Sequence, residues 1–246
     1  MYDITKRRSV RKYSNREVSD DQLRSLLQRA EQTQTMGNLQ LYSVVINRSP
    51  EMKAKLAPAH FNQPMVEQAP VVLTFCADYN RCTKWCNERK ATPGYDNFLS
   101  FLNAVTDALL YCQTFCHLAE EEGLGLCFLG TTIYNAQQIV DTLQLPRLVM
   151  PVATITLGWP DEAPPVSDRL PLEAITHEET YKAYTAESID AFYSPKEELE
   201  ENKQFVEINN KETLAQVFTD CRYRGEDCKV ISSQLLEVLK KQGFLN

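Results

Sequence analysis

The chain predicts an α+β domain, on three observations. Four short runs rich in β-branched and aromatic residues are interleaved with longer segments whose apolar residues recur at helical spacing. One of those runs, Val71-Val72-Leu73-Thr74-Phe75-Cys76-Ala77, is apolar on both faces, which marks a central strand in a covered sheet. No repeat or clean linker interrupts the 246 residues, a length that supports a substantial core. A single domain over 1–246 is therefore expected, with a core over 1–175 and a helical C-terminal extension over 176–246.

The chain opens on Lys6-Arg7-Arg8-Ser9-Val10-Arg11-Lys12-Tyr13, a dense cationic stretch in an acidic protein. Guanidinium groups are permanently charged, planar donors suited to phosphate. In an extended segment Arg8, Val10 and Lys12 would face one side and Ser9, Arg11 and Tyr13 the other. A solvated basic arm is the alternative reading of the same charges.

The first helix follows. Ser19 predicts its N-cap, Gln22 completes a capping box, and Val18 staples against Leu23. Leu23, Leu26, Leu27 and Ala30 then trace one buried face. Tyr42 to Ile46 reads as a strand, after which Ser49-Pro50 caps and starts a short helix. From Phe98 to Ala119 apolar residues occur all round the wheel, so that helix needs neighbours on every side, and a homodimer is expected. Gly123 and Gly125 end it, 126–129 forms a strand, and Asn135 to Leu145 is helical until Pro146.

Val152 to Leu157 is the last core strand, closed by Gly158-Trp159-Pro160. Pro164-Pro165 and Arg169-Leu170-Pro171 describe a surface excursion. The glutamate-rich segment 195–212 reads as a solvated loop or frayed helix. Two terminal helices are expected, one carrying Leu214, Val217, Phe218 and Cys221, the other running from Ser232 to Lys241 into a Schellman-type stop at Gly243-Phe244.

Composition excludes several classes. With 26 Lys+Arg against 33 Asp+Glu the formal net charge is -7, unlike a general nucleic-acid binder. Hydrophobic residues at 43% argue against disorder. No apolar run has the length of a membrane span and no secretory leader opens the chain, so a cytoplasmic protein is expected. The eight cysteines are then expected to be reduced. Cys82/Cys86 and Cys112/Cys116 are spaced four apart, but no second pair arrives at zinc-finger or ribbon spacing. The three histidines are scattered, and no hydrolase elbow occurs. Gly123-Leu-Gly125-Leu-Cys-Phe-Leu-Gly130 has Phe128 where a dinucleotide fingerprint needs glycine, and it follows a helix rather than a strand.

What remains is a cationic start, the turn Thr35-Met36-Gly37-Asn38, the strand Cys127 to Leu129 entering Gly130-Thr131, and Arg169. Arg7 to Tyr13, with Val18-Ser19 and the capped helix, resembles the opening motif of the FMN-dependent nitroreductase superfamily. Phe75-Cys76-Ala77-Asp78-Tyr79-Asn80-Arg81, Gly123-Leu124-Gly125, Leu157-Gly158-Trp159-Pro160 and Arg169-Leu170-Pro171 resemble its branch of oxygen-insensitive NAD(P)H nitroreductases and NADPH-flavin reductases, in the same order. The resemblance implies a mixed, mainly antiparallel sheet flanked by helices, and an intertwined homodimer with FMN at the subunit interface.

It also implies site residues. Arg7, Arg8, Ser9 and Arg11 match the phosphate- and ribityl-binding start, and Arg169 a second cation near the phosphate. Thr35 and Asn38 fall in a loop approaching the flavin, and Gln63 where an amide contacts the ring. Phe128, Leu129, Gly130 and Thr131 match the strand end beside it. Thr131 stands where many relatives have a second glycine, and Ser167 where some have lysine.

The implied activity is ping-pong hydride transfer from NADPH or NADH through FMN to nitroaromatics, quinones or free flavin, with no side chain assigned to acid-base catalysis. Lys203, Arg222 and Arg224 are candidates for a ribose 2′-phosphate, and Trp85, Tyr95 and Phe98 for the wall of an acceptor pocket. The alternative is a flavin- or phosphate-binding module without turnover.

Overall fold

The computed structural model describes residues 2–245. They form two compact units, one of residues up to Pro165 together with those from Ser233 onward, the other Val166–Ser232. The first unit is built on four strands, β1 (Tyr42–Asn47), β2 (Val71–Asp78), β3 (Gly125–Leu129) and β4 (Val149–Gly158), in the order β1-β2-β4-β3. Where a mixed sheet is expected, all pairings within the described chain are antiparallel. Every residue of β2 and β4 is buried, as a strand apolar on both faces requires.

β4 begins three residues earlier than its β-branched run suggests, and it contains Pro151. A register shift admits it: Phe75 pairs with Ala153 and Cys76 with Pro151, leaving Val152 as the extra residue of a bulge. On its other side β3 stops at the Leu129–Thr154 pair, so the missing N–H of Pro151 costs no ladder bond there.

Helix α1 (Asp20–Ala30) is capped as its sequence predicts, Ser19 Oγ accepting the Gln22 N–H at 3.1 Å. The capping box does not close, because Gln22 Nε2 instead donates to Glu122 at 3.0 Å. Val18 and Leu23 meet in the same core cluster. Short helices α2 (Pro50–Leu56) and α3 (Pro64–Gln68) precede β2, with Ser49 capping the first. Helix α4 (Asn80–Glu88), unforeseen in the sequence, buries Cys82 and Cys86.

The long helix α5 (Phe98–Glu121) packs Ala108, Tyr111, Phe115 and Ala119 inward, and the Tyr111 ring stacks on Tyr42 at 4.2 Å. Its other side is uncovered. Phe98, Leu99, Leu102, Leu109 and Leu110 are between 40% and 68% exposed. Helix α6 (Ala136–Leu143) stops at Gln144, two residues before the proline, because Gln144 enters the left-handed region at φ 53° and Leu145 N–H turns back to the Val140 carbonyl.

The second unit holds α7 (Ala186–Glu197), α8 (Glu200–Ile208) and α9 (Leu214–Gln216), the last continuing as a π-helical turn over Val217–Arg222. The loop or frayed helix expected over 195–212 is thus largely ordered helix. A Thr185–Ser188 capping box starts α7, and the glutamates ride outside because neither α7 nor α8 buries a residue. Helix α10 (Gly225–Lys241) begins seven residues before the expected Ser232, with Glu226 and Asp227 in its first turn. It ends in the expected Schellman geometry: Gly243 has φ 83°, and the N–H groups of Gly243 and Phe244 reach the carbonyls of Lys240 and Leu239.

Candidate functional site

The cationic segment is laid along the ends of β3 and β4 by its backbone. Val10 N–H donates to the Leu126 carbonyl at 2.9 Å, Ser14 N–H to Trp159 at 2.8 Å, and Asp161 N–H returns to Lys12 at 3.0 Å. The alternation expected of a regular strand is not followed. Val10 is 4% exposed and Tyr13, three residues on, is also turned inward, its hydroxyl donating to the Val10 carbonyl at 2.7 Å and meeting Thr156 Oγ1. Burial pushes the Tyr13 phenol well above its usual range.

The cations are then placed differently from one another. Arg7 reaches Glu120 at 3.4 Å, and that carboxylate also accepts from Tyr2 at 2.8 Å. The Arg8 side chain donates to the Lys6 carbonyl at 3.4 Å, and Ser9 is half-buried beside it. The Arg11 and Lys12 N–H groups both donate to Glu162 Oε1, at 2.6 and 3.0 Å. The Arg11 side chain lies at the Cys127 thiol, whose pKa burial raises and the Arg11 charge draws back. Among the described residues, neither Arg8 nor Arg11 has a carboxylate within ion-pair distance of its guanidinium. Arg7, Arg8 and Glu162 line a cavity of about 250 Å³.

From Cys127 the strand leads away from these charges. Phe128 is 50% exposed and Leu129 buried, and the chain then turns through Gly130–Thr132. A Cβ built on Gly130 would meet nothing within 4 Å, so the turn is open on that side. A second turn, Ala57–His60, docks on it: His60 Nδ1 lies 2.8 Å from Thr131 Oγ1, and Asn135 Nδ2 donates to the Ala59 carbonyl at 2.9 Å. Phe61 and Asn62 follow in the left-handed region, and Gln63 N–H returns to the His60 carbonyl at 3.2 Å. Arg11, Phe128, Leu129, Gly130, Thr131 and Gln63 are thereby brought onto one connected edge. At roughly 3.3 Å per strand residue, the open turn lies about 10 Å beyond Cys127.

Thr35 and Asn38 are not part of that edge within one chain. Their loop precedes β1, the outer strand opposite β3. It is tied to α5, where Asp107, 1% exposed, accepts the N–H groups of Met36 at 2.9 Å and Leu41 at 3.1 Å. Gly37 and Asn38 are both left-handed, at φ 56° and 54°. Trp85 is exposed and lines a cavity of about 230 Å³ with Asn38 and Arg81, whereas Tyr95 stacks on Tyr79 at 4.7 Å and Phe98 stands on the open face of α5.

In the second unit, Arg169 bonds the carbonyls of Ser167 and Asp168. Lys203 pairs with Glu198 at 2.6 Å and Arg224 with Asp227, while Arg222 lies over the Phe205 ring at 4.4 Å. Sequence reasoning missed Glu120, Glu162, His60 and Asp107. Asp107 left a signal as the one acid in the interior of α5, whereas Glu120 sits in the last turn of that helix, where an acid draws no notice.

The sequence model of the nitroreductase family matches residues 4–159. The chain is 28% identical to FMN reductase [NAD(P)H] of Bacillus subtilis, over 98% of this chain and 96% of that protein. It is 31% identical to the oxygen-insensitive NADPH nitroreductase of Salmonella typhimurium over 71% of each. A crystal structure from Bacteroides fragilis, provisionally classed as an oxidoreductase, superposes with a TM-score of 0.98 at 56% identity, covering 99% of both chains. By the span of that family match, which holds the cationic segment, the whole sheet and the open turn, the chain belongs to the nitroreductase family.

Proposed function

We propose that the protein is an FMN-dependent oxidoreductase that carries hydride from NADPH or NADH to small acceptors such as nitroaromatics, quinones or free flavin. The observation that carries this reading is the edge itself, which offers the Arg8 and Arg11 guanidinium groups, unpaired with any carboxylate among the described residues, at one end and an open, polar turn about 10 Å away along β3. That spacing suits an elongated ligand with an anionic head and a flat polar body. The relatives support the choice, since they are named FMN reductase, NADPH nitroreductase and NADPH-flavin oxidoreductase.

FMN held on this edge would supply the redox chemistry, hydride transfer between nicotinamide and acceptor. The side chains bind and orient. Arg8, Ser9 and Arg11 hold the phosphate and ribityl chain, with Arg7, already shared with Glu120, contributing less. Gln63, Phe128, Leu129, Gly130 and Thr131 flank the ring. Donor and acceptor share one open face, which requires ping-pong kinetics.

The assembly is a homodimer. Five large apolar residues on the outer side of α5 are left to solvent by their own chain, more than a soluble helix leaves uncovered. The Thr35–Asn38 loop is tied to that same helix through Asp107, so pairing on α5 places it to complete the partner's pocket rather than its own. All eight cysteines are free, which suits the reducing cytoplasm, and no helix among the described residues is long and apolar enough to cross a membrane.

The test is anaerobic titration of purified, FMN-loaded protein. Flavin absorbance bleached by NADPH or NADH and restored by a nitroaromatic supports the reading. Bound flavin that resists both nicotinamides leaves a binding module without turnover, and failure to take up FMN removes the flavin reading altogether.

A further inference from the structure

His60 is fully buried, and it has two ring nitrogens to satisfy. Nδ1 faces Thr131 Oγ1 at 2.8 Å, while Nε2 is buried with no partner among the described residues. Two neutral tautomers are available, with opposite consequences for Thr131. A hydrogen on Nε2 would leave a buried N–H without an acceptor, whereas a hydrogen on Nδ1 leaves only a bare lone pair there. Orphaned buried donors are the rarer arrangement, so the hydrogen belongs on Nδ1 and is donated to Thr131.

The Thr131 oxygen then acts as acceptor toward His60, and its own hydrogen must point elsewhere. No acceptor for it exists among the described residues: the Thr131 carbonyl takes the N–H groups of Tyr134 and Asn135, and the hydroxyl meets His60 alone. Thr131 is only partly covered and follows Gly130, around which the turn is open. We propose that the Thr131 hydroxyl is a hydrogen-bond donor presented to the flavin ring, and that His60 is the positioning residue that makes it a donor. This rests on the flavin reading above. It adds a side-chain donor at a position where the family resemblance expects glycine.

A donor directed at the ring favours its electron-rich form, as donors do wherever negative charge develops. Burial holds the His60 imidazole neutral down to about pH 4, so the arrangement persists across physiological pH.

The experiment uses FMN-loaded full-length protein and reads the two-electron midpoint potential of the bound flavin. Thr131→Val, nearly isosteric, is expected to lose about tenfold in preference for the reduced form, a fall of about 30 mV. Thr131→Ser should hold the wild-type potential, as should His60→Asn, whose amide N–H can replace Nδ1–H. An unchanged potential in Thr131→Val with FMN retained overturns the proposal and leaves the flavin reading intact.

Nitrogen-15 NMR on histidine-labelled protein without flavin tests the His60 half separately, with only three histidines to assign. The Nδ1–H tautomer supports the proposal. The Nε2–H tautomer overturns it, whether or not the variants fold.

Discussion

Gly125 and Gly158 stand opposite each other in the β3–β4 ladder, and neither has room for a side chain. A Cβ on Gly125 would lie 2.8 Å from Val10 Cβ, and one on Gly158 would lie 2.6 Å from Pro70 Cδ and 2.8 Å from Tyr13 Cδ1. The bare pair lets Val10 and Tyr13 press onto the sheet, which fixes the backbone on either side of Arg11. Gly125→Ala should therefore destabilise the protein by about 1–3 kcal/mol in denaturant titration, the usual cost of overpacking. FMN affinity should fall with it, because the displaced Val10 carries Arg11 along.

Asp107 gives a second prediction. Its carboxylate accepts two backbone N–H groups from the Thr35–Leu41 loop, and truncation leaves both without their partner. Asp107→Ala should cost about 2–4 kcal/mol. Hydrogen exchange at Met36 and Leu41 should accelerate while exchange in β2 does not, beyond the global change.

The pH dependence follows from His60. Its pKa is pushed from 6.5 to about 4 by burial, so the unfolded chain binds a proton that the folded chain refuses. With more protons on the unfolded state, stability falls as pH drops from about 6.5 to about 4 and levels off below that. At 1.36 kcal/mol per unit the loss attributable to His60 is about 3 kcal/mol. Chemical denaturation of wild type and His60→Asn across this window should show that slope in the first and a shallower one in the second.

The open side of α5 predicts assembly behaviour. Leu102, 44% exposed within one chain, should be covered in a dimer. Leu102→Glu would then place an unpaired charge in an apolar seam and should shift the protein to monomer in analytical ultracentrifugation, with FMN released.

Much of the fold was legible because it rests on local chemistry. Ser19 and Ser49 cap where hydroxyl side chains should, Gly243 stops α10, and the two-faced apolar run of β2 names its own central place. Pro151 hid the start of β4, since only the bulge opposite Phe75 and Cys76 makes a proline tolerable there. The glutamates of 195–212 masked helices that expose their whole polar surface.

Within the site, the arginine cluster and the strand end announce themselves. Which guanidinium is already spoken for does not, because Glu120 lies 113 residues from Arg7. The His60–Thr131 contact spans 71 residues and carries no local pattern. Loop residues that meet only through tertiary docking leave no periodic trace.

The Arg11 guanidinium, beside Cys127 of β3 and unpaired with any carboxylate among the described residues, is expected to hold the phosphate of FMN. Its neighbour Lys12 shares the same Glu162 anchor through the backbone, so exchanging either side chain leaves that anchor in place. The most direct measurement is the FMN dissociation constant of Arg11→Ala beside that of Lys12→Ala, read by flavin fluorescence. Loss of a charge-assisted phosphate contact predicts about 10- to 100-fold weaker binding for Arg11→Ala and less than about threefold for Lys12→Ala. Equal losses in the two variants would contradict it.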